Sequence, residues 1–145
     1  MFPPAGSLTP QSHDLQIGTN CLGHSLLTSL LLPLLTTTAS TSLTASVRVL
    51  WAGSIAVHVA APKPSGMSLE PSGRPKDLSV RSNYAQSKVG NVFLAKAGAK
   101  KTKENGVVHV AFNPGNLRTE LQRNWKGVDH WVTVSCAAVL VWALI

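Results

Sequence analysis

Leucines at positions 15, 22, 26, 30 and 34 recur at intervals of four or seven residues between Ser12 and Thr38. That spacing returns side chains to one side of an α-helix and predicts a long helix, with Ser12 as its cap. Pro33 brings no N–H and is expected to end or kink it. The run 36–42 holds only Thr, Ser and Ala and predicts no strong structure. Val47 to Trp51 is a short apolar run closed by Gly53 and reads as a buried strand. Residues 61–76 contain four prolines and two glycines and form a long loop. A second helix is expected from Val80 to Lys103, stopped by Gly106. Val107 to Ala111 reads as another buried strand ending at Asn113-Pro114-Gly115, and a brief helix is expected over Leu117–Arg123. Pro3, Pro4, Gly6 and Pro10 make the first ten residues irregular.

Strand, long helix, strand, with both strands apolar on both faces, is the pattern of a βαβ unit in a parallel sheet. The class is therefore α/β. Ligands of such sheets bind at the carboxyl ends of the strands. Here those ends are Gly53-Ser54 and Asn113-Pro114-Gly115.

Composition narrows the picture. The 145 residues suit one domain, and 44% hydrophobic content supports a core. Only 13% are charged, against about 25% in an average soluble domain. Glycine shows no triplet period, no heptad is sustained, and the only cysteines are Cys21 and Cys136. Collagen, coiled coil and disulfide scaffold are excluded, and two reduced thiols in a cytoplasmic setting are expected. Eleven of the 13 basic residues lie between 71 and 126, densest at Lys96, Lys100, Lys101 and Lys103. Only Phe93 is an aromatic neighbour of that cluster, so it reads as a solvated helix face, with no nucleic-acid partner expected. The start MFPPAGSLTP lacks the charged and apolar regions of a signal peptide. The leucine-rich run Leu26–Leu35 and the uncharged tail Trp131–Ile145 both fall short of the ~20 residues that span a bilayer, so membrane association is not the expectation. Five histidines and two cysteines show no metal-ligand spacing, and no metal site is expected. Asp14 and Glu120 read as lone, solvated carboxylates.

The single tyrosine, Tyr84, has Lys88 four positions on, which on a helix sets phenol and ammonium side by side. A nearby cation favours phenolate and so lowers the tyrosine pKa from about 10. A phenol so tuned can exchange a proton with an alcohol or carbonyl oxygen. Ser54, at the end of the preceding strand, could polarise the same oxygen. Asn20 places an amide inside the first helix, where propensity is modest.

These residues resemble the short-chain dehydrogenase/reductase family, in particular its retinol-dehydrogenase-like and fungal branch. NYAQSKVGN is similar to the family's Tyr-x-x-x-Lys motif, WAGSIA to the strand that delivers its serine, and TNCLGHSLLTSLLLPLL to its Asn-containing helix. NPGNLRT is similar to its Pro-Gly turn. The resemblance covers about residues 1–125 and leaves 126–145 as a divergent apolar tail, expected to be helical. It implies a partial Rossmann-type, doubly wound parallel sheet and hydride exchange between NAD or NADP and a small lipophilic alcohol/carbonyl pair. Tyr84 would be proton donor and acceptor. Lys88 would lower its pKa and hold the nicotinamide ribose, Ser54 would orient the carbonyl, and Asn20 would anchor a water linking Lys88 to solvent. Pro114, Gly115 and Thr119 would touch the cofactor.

The family's opening strands and Gly-x-x-x-Gly-x-Gly loop have no counterpart here, since none of the 11 glycines is followed by another two or four positions later. The expectation is therefore the catalytic half of an oxidoreductase, inactive on its own. The alternative is a catalytically inactive interaction or regulatory chain. The sheet edge beside Val47–Trp51 would be uncovered, so the expectation is poor stability, an exposed edge, or association with another chain in a homo- or hetero-oligomer.

Overall fold

The computed structural model describes residues 2–115. Residues 2–14 form turns, tied down where the Leu15 N–H donates to the Ser7 carbonyl at 2.9 Å. The chain then enters α1 (Leu15–Ile17), a π-helical turn (Gly18–Gly23) and α2 (His24–Thr41). The three run on as one 27-residue helix, Leu15–Thr41.

The cap of this helix is Asp14, not Ser12. Asp14 Oδ1 accepts from the N–H groups of Gln16 at 3.0 Å and Ile17 at 2.9 Å, satisfying donors that have no partner inside the helix. Ser12 lies in the preceding turn at φ 60°. The carboxylate read as solvated thus has a structural task. Pro33 does not end the helix, which continues to Thr41. The Thr/Ser run 36–42 is helical through residue 41, its hydroxyls donating back to carbonyls three or four residues earlier, as Thr37 and Thr38 do to Pro33 and Leu34. The expectation of a segment too short to span a membrane is corrected on the same ground. By length and composition Leu15–Thr41 is long and apolar enough to cross one.

β1 (Arg48–Ala52) and β2 (Val108–Phe112) form a parallel two-stranded sheet, pairing Arg48 with Val108 through Ala52 with Phe112. This is the expected βαβ unit. Its crossover carries a short helix the sequence pattern did not reveal, α3 (Ala56–Val59), then a long irregular segment, then α4 (Val80–Lys101). α4 is the organising element. It packs on both strands, on α1, on the π-helical turn and on α3. Ala85 and Val89 on α4 meet Ala61, Val57 and Met67 in the apolar cluster. Gly53 fixes the strand ends: its N–H donates to the Phe112 carbonyl at 2.7 Å, and a Cβ there would lie 3.0 Å from that oxygen. Only glycine allows the approach without displacement.

The irregular segment is held by buried amides on α4. Asn83 Nδ2 donates to Asp77 at 2.7 Å and Asp14 at 3.2 Å, while its Oδ1 accepts from the Leu78 N–H at 2.9 Å. Gln86 Oε1 accepts from the Ser68 N–H at 2.8 Å, and its Nε2 donates to the Lys76 carbonyl at 3.1 Å. Backbone groups of a loop pressed onto a helix need partners, and these side chains supply them. The helix expected over Leu117–Arg123, and the tail 126–145, lie outside the described residues.

Candidate active site

Ser54 follows the carboxyl end of β1 by two residues, and Tyr84 and Lys88 occupy consecutive turns of α4. The Tyr84 phenol and the Ser54 hydroxyl lie close enough for Ser54 to act on the phenol's proton affinity. Lys88 Nζ lies 5.7 Å from the centroid of the Tyr84 ring. It donates to the carbonyl of Ala52, the last residue of β1, at 3.1 Å. Hydroxyl, phenol and ammonium thus converge at one strand end.

Asn20 reaches the same region from the π-helical turn. Its Nδ2 donates to Ser87 Oγ at 2.9 Å, and Ser87 Oγ donates to the Tyr84 carbonyl at 2.7 Å. Its neighbour Cys21 is buried, with Sγ 3.0 Å from the Ser87 carbonyl. Single π-helical turns inside a helix are rare and occur often at functional sites. This one presses residues 20 and 21 against the turn of α4 that carries Lys88. The geometry links Asn20 to the site through Ser87.

Burial governs the electrostatics. It pushes the Tyr84 phenol above its ordinary value, and the Ser54 hydroxyl offsets part of that rise. The expected lowering of the phenol is not met, because burial dominates its environment. Burial also pulls Lys88 down, while the Cys21 thiolate, when formed, would oppose that. Burial pushes the Cys21 thiol up to about 11, with Lys88 acting the other way. At neutral pH the phenol is therefore protonated.

Pro114 and Gly115 lie exposed just past the end of β2, the Gly115 N–H donating to Asn113 Oδ1 at 3.2 Å. Thr119 lies outside the described residues. Two participants were not legible beforehand. The Phe2 ring packs edge-on against Tyr84, with centroids 5.4 Å apart. Asn91 is fully buried and shares the Ala52 carbonyl with Lys88. The signal for Asn91 was a polar residue three positions after Lys88, on the same helical face. Phe2 gave no signal, because it stands in an irregular segment. Among the described residues no group of three His, Cys, Asp or Glu side chains could hold a metal ion.

This arrangement sits in a sequence with clear relatives. The chain is 44% identical over 133 residues to a short-chain dehydrogenase/reductase of Phomopsis amygdali, the alignment taking in 86% of this chain and 39% of the relative. It is 41% identical over 126 residues to the short-chain dehydrogenase/reductase pkfC of Emericella nidulans, covering 86% and 40%. It is 39% identical over 124 residues to an uncharacterized oxidoreductase of Schizosaccharomyces pombe, covering 85% and 36%. The chain belongs to the short-chain dehydrogenase/reductase family, and it spans about 40% of the length of the curated relatives it matches. No family model and no solved structure matches it.

Proposed function

We propose that the chain carries the catalytic corner of an oxidoreductase that interconverts a small lipophilic alcohol and its carbonyl with NAD or NADP. The observation that carries this reading is the convergence of Ser54, Tyr84 and Lys88 at the carboxyl end of β1, with Lys88 Nζ 5.7 Å from the Tyr84 ring centroid and donating to the Ala52 carbonyl. The residues present suit the nicotinamide end of such a cofactor. Lys88 spends one N–H on Ala52 and keeps two for ribose hydroxyls. Gly115 stands in open space past β2, at the same end of the sheet.

The cofactor would supply the hydride. The chain's own residues do the rest. Ser54 orients the carbonyl oxygen, and Tyr84 gives it a proton. Because burial keeps the phenol protonated, this corner is set for carbonyl reduction at neutral pH, whereas alcohol oxidation calls for a more alkaline solution. Asn20 steadies the turn of α4 between Tyr84 and Lys88 through Ser87. Titration of the chain with NADPH and with NADH, followed by nicotinamide fluorescence, tests the reading. Saturable binding that Lys88→Met weakens supports it, and no binding of either overturns it for this chain.

A second reading has its own observation. α2 buries none of its residues and exposes Leu26, Leu27, Leu30, Leu31 and Leu34. An interaction or regulatory chain would use such a face. Absence of cofactor binding, together with a defined oligomer in light scattering, would favour it.

A further inference from the structure

We propose that Asn91 is a positioning residue: it clamps the end of β1 to α4 and thereby sets Lys88 against Ser54. The proposal rests on the roles given above to Lys88 and Ser54. Asn91 has no exposed surface, and its Nδ2 donates to the Ala52 carbonyl at 2.9 Å. Lys88 Nζ donates to that same oxygen at 3.1 Å. The two head groups therefore lie no more than about 6 Å apart, on neighbouring positions of one helical face. Ala52 is the last residue of β1, and Ser54 follows two positions later. One carbonyl thus joins the strand end that presents the hydroxyl to the helix that presents the phenol and the ammonium.

A second observation separates this role from plain packing. Asn91 Oδ1 is buried with no hydrogen-bond partner. A buried unpaired oxygen forfeits its solvation, a cost that a leucine of similar size would not carry. The amide orientation is fixed, since turning it over would set Oδ1 against the Ala52 oxygen. Against that cost stands the bond to Ala52. It also leaves Lys88 free to spend its other donors elsewhere, because the strand end no longer depends on a long, flexible side chain to hold it.

Competitive acetylation of Lys88 in the full chain across a pH series, read by mass spectrometry, tests the clamp. Hydrogen exchange of α4 beyond residue 95 reports general loosening of the fold. In Asn91→Leu, Lys88 should react about threefold or more faster at pH above its midpoint, with that midpoint moving up as it leaves its buried position, and exchange beyond residue 95 should be unchanged. Both rising together, or Lys88 staying as it was, would overturn the proposal. Asn91→Asp keeps the shape but replaces the donor with an oxygen, so it should release Lys88 to faster acetylation as Asn91→Leu does; no change in the Lys88 rate overturns the proposal even if Asn91→Leu does not fold. The outcome is independent of cofactor titration. A chain that binds no cofactor but shows these Lys88 responses loses the proposed function and keeps the clamp, while the reverse result removes the clamp alone.

Discussion

The face of α4 turned to the loop and strands and the leucine face of α2 invert the usual order of polarity. Around α4 the largest fully buried side chains are polar, Gln86, Ser87 and Asn91 among them. Along α2 the apolar side chains are outside, with Leu30 71% and Leu34 65% exposed. The difference teaches that burial follows what a neighbour needs. α4 lies beneath an irregular loop and two strand ends whose backbone groups must be paired, so amides and hydroxyls go in. α2 carries a helical leucine stripe that no described element covers.

If that contrast is right, equal insults should have unequal effects. The largest is expected at Gly90, where a Cβ would lie 2.5 Å from Cys21 Sγ. Gly90→Val should cost about 3 kcal/mol, by overpacking, and urea unfolding would reveal it as a lowered midpoint; a change smaller than that of a surface substitution would refute the close packing.

Next comes alkaline pH. The folded chain holds the Cys21 proton more tightly than the unfolded chain, whose thiol titrates near 9, so stability falls as pH rises from about 9 to about 11. The loss is at most about 3 kcal/mol. Lys88, whose folded value is lowered, acts in the opposite sense as pH rises through the range below its ordinary value. Cys21→Ala should flatten the alkaline limb of a plot of melting temperature against pH, and an unaltered limb would mean that other groups produce it.

A smaller effect belongs to the helix cap. Asp14→Ala removes two bonds to N–H groups and one from Asn83, and should cost about 1–2 kcal/mol. Asp14→Asn, which keeps the acceptor, should recover most of that in the same urea titration.

The smallest is on the leucine face. Leu30→Gln with Leu34→Gln should leave stability within about 0.5 kcal/mol. The pair should reduce association in light scattering, by shrinking an exposed apolar patch. Strong destabilisation would show that α2 is covered in solution.

Much of the frame was legible in the residues. The two strands, the long helix between them and their parallel pairing follow from local pattern and from the handedness of backbone geometry. Tyr84 and Lys88 share a face because four positions along a helix always do. The strand ends at Ser54 and Pro114 were marked by the residues themselves.

Other features could not be read that way. Asp14 as partner of Asn83, Asn20 on Ser87, Phe2 against Tyr84, and Asn91 on Ala52 join residues tens of positions apart. Pro33 shows the same limit in reverse, since the local rule allowed an end or a kink and the helix runs on to Thr41.

Sequence by itself determined which groups are neighbours within one element, because covalent geometry repeats. Tertiary structure alone decided which elements meet, how deeply Tyr84, Lys88 and Cys21 are desolvated, and hence which way their proton affinities move. Desolvation depends on every atom packed around a group, and that is a property of the assembled chain.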